Sequence, residues 1–260
     1  SIWFTIENRA GLSAGKYPVS ITLSAPRYLL QKTVTIEIEV IDAFLPEQKL
    51  IYTNWLHCDC IASIYQCDVF TEMHWNLIEK FIKTAAANGI NMILTPMFTP
   101  PLDTPVGSER ITVQLVDVYK NGEKYTFDFS RFNKWVDICL QNGIRYFEHS
   151  QLFTQWGAEF APKIMGYEYG EYKHLFGWDT PACSNEYLSF LRQYIPELKH
   201  VLSEKGIDRV TYFHISDEPV LKNIESYKMA RKAVENELRG CLIFDTVSDF
   251  SFYARNRQCV

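Results

Sequence analysis

Asp217 and Glu218 are the residues of this chain best suited to do chemistry. They close the run Phe213-His214-Ile215-Ser216-Asp217-Glu218-Pro219. Two carboxylates this close repel, so at least one pKa rises and one group stays protonated beside one that is ionised. A protonated carboxyl can give its proton to a leaving oxygen at neutral pH. The competing reading is a solvated acidic turn in which Asp217 caps the next helix. A position at a strand end, a neighbouring His214 and aromatic loops nearby favour the chemical reading. Strict alternation along a strand would send the two side chains to opposite faces. Both reach one pocket only if the chain leaves the strand, or bulges, at Ser216.

Adjacency also limits the mechanism. Ordinary retaining and inverting glycosidases hold two carboxyls on opposite faces of the sugar, roughly 5 to 10 Å apart. Neighbouring residues cannot easily straddle a ring. They can serve one face, as one acid/base and one helper. That suits a sugar whose own 2-acetamido oxygen is the nucleophile.

The elements that must position this pair read as alternating strands and helices. Strands are expected near 50–56, 91–95, 144–149, 210–216 and 241–245. Helices are expected near 71–87, 131–141, 185–204 and 221–238. Phe132, Trp135, Val136, Cys139 and Leu140 fall at helical spacing, as do Trp75, Ile78, Phe81, Ile82 and Ala85. Ser130 is the expected N-cap of the second helix. Asn88-Gly89-Ile90, Asn142-Gly143-Ile144 and Lys205-Gly206-Ile207 recur between a helix and the next strand. In each, the Gly supplies the left-handed residue that stops the helix. Such joins argue for βα units around a parallel sheet. The fold class is therefore α/β: a (β/α)8 TIM-type barrel truncated after about its fifth strand, since a full barrel takes roughly 250 residues. An open doubly wound sheet is the rival, weakened by the lack of a Gly-rich phosphate loop after any strand.

Two insertions follow strands, at about 96–129 and 150–183. The first holds a hairpin expected from Val113-Gln114-Leu115 and Tyr125-Thr126-Phe127 around Asn121-Gly122. Loops after strands lie on the catalytic face of a barrel. His57 and Asp59 end the first strand, Asp103 follows the second, and Glu148 ends the third. Each could bind a sugar hydroxyl or serve structurally. Trp156 and Trp178 offer aromatic faces to a sugar or pack the loop. His214, at the parity of Glu218, could tune it and is also a candidate substrate contact.

Residues 1–44 read as the last strands of a β-sandwich, carried by Tyr17 to Leu23 and Thr33 to Val40, and residues 45–260 as the barrel. The chain has 260 residues, 47% hydrophobic and 15% aromatic, so it can bury a large core. It begins inside strand-like sequence, ends without an obvious closing element and is expected to be a fragment. A net charge of -5 offers no footprint for nucleic acid, and no apolar run is long enough to span a bilayer. Cys58, Cys60, Cys67, Cys139, Cys183, Cys241 and Cys259 form an odd, scattered set. That favours reduced thiols and an intracellular setting, with secretion left open. His57-Cys58-Asp59-Cys60 has ligand types but no second cluster at zinc spacing, so neither a metal nor any other cofactor is expected.

Four segments, in order, carry a family resemblance. They are Trp55-Leu56-His57-Cys58-Asp59, Leu94-Thr95-Pro96-Met97-Phe98-Thr99-Pro100-Pro101-Leu102-Asp103, Phe153-Thr154-Gln155-Trp156-Gly157-Ala158 and His214-Ile215-Ser216-Asp217-Glu218-Pro219. Over residues 45 to 260 the chain resembles the catalytic domain of glycoside hydrolase family 123. The resemblance implies retaining N-acetyl-β-galactosaminidase activity by substrate assistance, with Asp217 as the stabilising residue and Glu218 as the acid/base. It also implies a glycan or glycoconjugate with a terminal 2-acetamido sugar as partner. Two alternatives stay open: a two-carboxylate retaining glycosidase whose nucleophile lies beyond Val260, and a non-catalytic carbohydrate-binding protein.

Overall fold

The structure, a computed structural model, describes residues 3–7 and 11–255. The chain divides into two compact units, residues 1–49 and 50–260. In the first, β1 (Gly15–Ala25) and β2 (Leu30–Val40) pair antiparallel without a register break, from Gly15 opposite Val40 to Ala25 opposite Leu30. Pro26 opens the short turn between them, and Leu29 closes it at φ 49°. Hydroxyl pairs reinforce the register across the strands: Ser20 with Thr35 at 2.9 Å and Thr22 with Thr33 at 2.8 Å.

The second unit is built in chain order from α1 (Cys58–Tyr65), α2 (Glu72–Ala87), β3 (Met92–Thr95), β4 (Asp117–Asn121), β5 (Lys124–Asp128), α3 (Ser130–Gln141) and β6 (Tyr146–His149). It continues with β7 (Ile164–Glu168), β8 (Glu171–Phe176), α4 (Asn185–Glu204), β9 (Thr211–Phe213), α5 (Ile224–Ala233), β10 (Leu242–Ile243) and α6 (Phe250–Arg255). A parallel sheet runs in the order β3-β6-β9-β10, with helices between its strands. Thr53 adds a single parallel bridge to Met92 at its edge. The strand expected over 50–56 shrinks to that bridge because a side chain takes its backbone partners. Asn91 Oδ1 accepts the Tyr52 N–H at 2.8 Å, and Asn91 Nδ2 donates to the Leu50 carbonyl at 3.0 Å.

The three helix–Gly–strand joins repeat one geometry. Gly89, Gly143 and Gly206 sit at φ 89°, 97° and 68°. The following Ile90, Ile144 and Ile207 N–H groups reach back to Ala85, Cys139 and Leu202 carbonyls at 3.2, 3.0 and 3.0 Å. This satisfies carbonyls that a helix end leaves open and drops the Ile toward the next strand. At the helix starts, Thr71 and Ser184 accept from His74 and Tyr187 N–H groups. The expected cap at Ser130 is corrected: Ser130 is already helical. Asp128 Oδ1 takes both its N–H at 2.7 Å and its hydroxyl at 2.5 Å. On the apolar faces, Phe132, Trp135, Val136 and Cys139 are buried while Leu140 is exposed. Trp75, Ile78 and Ile82 are buried while Phe81 is exposed, set edge-on against Tyr65.

The insertions make a second sheet, in the order β5-β4-β7-β8. Its first hairpin is shifted from expectation, with β4 starting at Asp117. The segment before it is held otherwise: Gln114 donates to the Val116 and Met165 carbonyls and accepts the Met165 N–H at 3.0 Å. The second hairpin, β7–β8, was not expected from sequence. Its turn puts Tyr169 at φ 53° and Gly170 at φ 84°. Consecutive positive φ values are the mark of a tight hairpin turn, but Tyr stands where Asn or Asp would signal it. Aromatics from this sheet pack on α4. Phe127 meets Tyr194 at 5.4 Å, Tyr125 meets Phe190 at 5.1 Å, and Phe176 meets Phe190 at 5.1 Å between centroids.

A Cβ added at Gly206 would meet nothing within 4 Å, so its substitution isolates the backbone cost. Gly206→Ala should lower the unfolding free energy by about 1 kcal/mol. Urea denaturation should show this as a lower midpoint with an unchanged slope, and an unchanged midpoint would contradict the assigned role.

Candidate active site

The pair reaches one place because the chain leaves the sheet early. Strand β9 ends at Phe213 rather than near 216. Beyond it, two neighbours hold the backbone. On one side, Leu152, Phe153 and Trp156 N–H groups donate to the His214, Ile215 and Asp217 carbonyls at 3.0, 3.0 and 2.7 Å. On the other, Asp245 Oδ1 accepts the Ile215 and Ser216 N–H groups at 2.8 and 3.4 Å. The Glu218 N–H reaches the Thr246 carbonyl at 3.1 Å. The Ser216 hydroxyl donates to the Thr154 carbonyl at 2.8 Å. Glu218 then adopts φ 44°, a left-handed conformation that a non-glycine residue holds only under constraint. Strand alternation no longer applies, and Asp217 and Glu218 are both half-buried.

Behind the pair lies a buried ion cluster. His214 Nε2 stands 2.9 Å from Glu148 Oε2, and His214 Nδ1 stands 3.5 Å from Asp245 Oδ1. The His214 and Glu148 side chains have no solvent exposure. Thr53 Oγ1 donates to Glu148 Oε1, and the Trp55 indole donates to Oε2 at 2.9 Å. The Tyr227 hydroxyl donates to Asp245 Oδ2 at 2.6 Å. Burial alone would depress the His214 pKa, but the Asp245 and Glu148 carboxylates outweigh it and lift it to about 9. Two sequence expectations are corrected here. Glu148 and His214 were candidates for binding substrate, yet both are sealed from solvent with their polar atoms turned to one another. The parity argument linking His214 to Glu218 falls with the strand that carried it.

Asp217 carries a raised pKa. Burial, then the neighbouring Glu218, raise its pKa to about 6. Asp103 and Asp245 push the same way and His214 opposes them. Asp217 Oδ1 is buried and has no hydrogen-bond partner among the described residues.

The remaining candidates divide between a helix start and the loops. His57 does not end a strand; it is the N-cap of α1, and Asp59 sits in its first turn. Asp59 is also committed elsewhere, since Arg110 grips it through Nε–Oδ2 at 2.9 Å and Nη2–Oδ1 at 3.1 Å. Both carboxylate oxygens of Asp59 are thus engaged by one guanidinium, and the side chain is buried. Asp103 remains 74% exposed, 3.3 Å from His57 Nε2 and 4.0 Å from Arg110 Nη1. Trp156 is half-exposed at φ 64° and tied to Asp217 through its backbone N–H. Trp178 donates its indole N–H to the Ser108 carbonyl at 2.9 Å, beside Phe160. The sequence reading gave no role to Arg110, Tyr227 or Asp245 and met Trp55 only inside a family-like segment. Asp245, a carboxylate just after a strand, also carried a visible signal.

The Cys58 thiol is buried and pushed far up by that burial. Among the described residues no group of three or more His, Cys, Asp or Glu side chains converges as metal ligands would. Nor is any helix there long and apolar enough to cross a membrane. Cys58, Cys60, Cys67, Cys139, Cys183 and Cys241 are free, and Cys259 lies outside the described residues.

The family model described as "Glycoside hydrolase 123, catalytic domain" matches residues 55–260. The chain belongs to glycoside hydrolase family 123. It also shares the fold of a solved family 123 glycoside hydrolase from Clostridium perfringens, studied for glycolipid glycan hydrolysis, with a TM-score of 0.68 and 19% identity. That match covers 94% of this chain and 44% of the other, so the chain spans under half the length of this relative. No curated protein matches. The family 123 match extends over the whole parallel sheet and both carboxylates.

The cluster carries a pH signature. A His pKa raised from 6.5 to about 9 adds stability that is complete below the unfolded value and is lost as pH rises through the folded one. Chemical denaturation should therefore show unfolding free energy falling by on the order of 3 kcal/mol between pH 6.5 and pH 9.5. In His214→Gln that fall should be absent, and an equal fall in both proteins would contradict the assignment.

Proposed function

We propose that this chain carries the acid/base side of a retaining exo-β-N-acetylhexosaminidase, and that its sugar is N-acetylgalactosamine. The observation that carries the reading is Asp217 Oδ1: a buried carboxylate oxygen on a half-buried side chain, with no donor of its own among the described residues. A 2-acetamido N–H is the donor that such an oxygen needs. The sheet order, with each strand beside its neighbour in sequence and no reversal, favours the first strands of a (β/α)8 barrel over a doubly wound sheet. The β1–β2 hairpin fits the end of a β-sandwich.

The chemistry follows from this assignment. The acetamido carbonyl oxygen attacks the anomeric carbon as the glycosidic bond breaks. Glu218 gives its proton to the departing oxygen. Ionised Asp217 accepts the acetamido N–H and stabilises the positive charge of the oxazolinium ring. Glu218, now a carboxylate, takes a proton from water, whose oxygen attacks the same carbon and restores the amide. Two inversions leave the configuration retained. Asp103 and His57 at the mouth, with Trp156 beside them, are the proposed contacts for hydroxyls and for the apolar sugar face; Trp178 extends that wall. Asp59, Glu148 and His214 act from behind, on the residues that touch substrate.

The substrate set tests the mechanism. In the full-length protein, the aryl 2-acetamido-β-galactoside should be hydrolysed, with the 2-acetamido-β-glucoside slower and the plain β-galactoside at least 10³-fold slower. That ratio is an estimate of about 4 kcal/mol for losing the internal nucleophile and its Asp217 contact. Equal rates with and without the 2-acetamido group would favour a separate carboxylate nucleophile, and binding without turnover would favour a lectin-like protein. Glu218→Gln should cost about 10²- to 10⁴-fold on poor leaving groups and far less on very good ones.

Asp217 gives the pH dependence. With a pKa raised to about 6, its ionised form is lost as pH falls through that value. The kcat/KM profile should therefore drop on an acidic limb centred near pH 6. Asp217→Asn should abolish that limb while lowering the plateau, and a limb that survives the substitution would assign it to another group.

A further inference from the structure

We infer that Glu148, His214 and Asp245 form a buried network that positions the carboxylate pair and supplies the cation that lets two neighbouring carboxylates occupy one place. The kinetic part of this inference rests on the glycosidase reading; the network itself rests on geometry.

Three strands supply one charged group each. Glu148 lies in β6, His214 directly follows β9, and Asp245 follows β10 by two residues. Each is tied to the backbone that presents Asp217. Glu148 is fixed by Thr53 and Trp55 from the sheet edge, and it holds His214 at 2.9 Å. Asp245 takes the N–H groups of Ile215 and Ser216, the two residues before Asp217. A shift of any member therefore moves the carboxylates.

The charges that act on Asp217 come from every side. Glu218, Asp103 and Asp245 oppose its ionisation and His214 favours it. Of these four, His214 alone is cationic. The groups around His214 are the Glu148 and Asp245 carboxylates and the rings of Trp55 and Phe244. With its side chain shielded from solvent, a cation held between two carboxylates keeps its proton, and its field offsets part of the repulsion that opposes ionising Asp217. Glu148, His214 and Asp245 are positioning residues; none reaches a sugar.

Carboxyl NMR of the full-length protein tests this. The Asp217 signal is assigned by its loss in Asp217→Asn and then titrated in wild type and in His214→Gln. The Asp217 midpoint should rise by about one pH unit in His214→Gln. The acidic limb of kcat/KM should move up with it, and kcat should fall more than KM changes. A folded His214→Gln protein with both midpoints unmoved would overturn the inference. Should that variant fail to fold, Glu148→Gln keeps the side-chain shape and removes one counter-charge. The His214 imidazole midpoint should then fall by about one unit, and an unchanged imidazole midpoint overturns the network. Wild-type protein inactive on every 2-acetamido sugar would refute the glycosidase reading, while the NMR comparison would still decide the network.

Discussion

The site depends on one imidazolium kept out of water between two carboxylates. Placing any of these charges alone in the interior would be costly, by several kcal/mol per ion. Together they offset one another's charge, and the carboxylate oxygens find Thr53, Trp55, Tyr227 and two backbone N–H groups. Because each member comes from a different strand, the cluster also sets how those strands end. Strand β9 stops at Phe213 since the next backbone donors go to a side chain, Asp245, instead of to a neighbouring strand. Early termination is what frees Asp217 and Glu218 from strand alternation. Structure and chemistry thus share a cause.

Much of the fold could be read from the residues. The three Gly joins announced where helices stop, because a left-handed residue after a helix has a plain sequence signal. Helix α4 matched its expected span since both its cap, Ser184, and its terminator, Gly206, are local. What escaped depends on partners distant in sequence. The first strand dissolved into a bridge because Asn91 competes for its hydrogen bonds. The β7–β8 hairpin hid behind a Tyr at a turn position where Asn is usual. Ser130 resembled a cap, and only the backbone showed that Asp128 does the work.

The site divides along the same line. Asp217 and Glu218 were legible as a pair, since adjacency is itself a chain property. The half-buried state of both, and the raised pKa of Asp217, required the fold. Glu148 looked like a substrate contact because it ends a strand on the expected face, and His214 because it shares strand parity with Glu218. Their polar atoms turn inward because Asp245 and Trp55 arrive there, from positions 30 or more residues away. Arg110 was invisible for a similar reason: a loop residue becomes informative only when Asp59 is found in its fork.

Glu218 has a backbone that an ordinary side chain resists, since left-handed φ is a glycine preference. The fold tolerates this residue at some cost to itself, and Asp217 beside it adds a half-buried charge. Selection for heat resistance alone would therefore drift toward glycine at the first position and an apolar residue at the second, with the carboxylate pair as the casualty. A thermostabilised variant of this protein would need both positions held fixed by design, with gains sought in the hairpin sheet and helix ends instead.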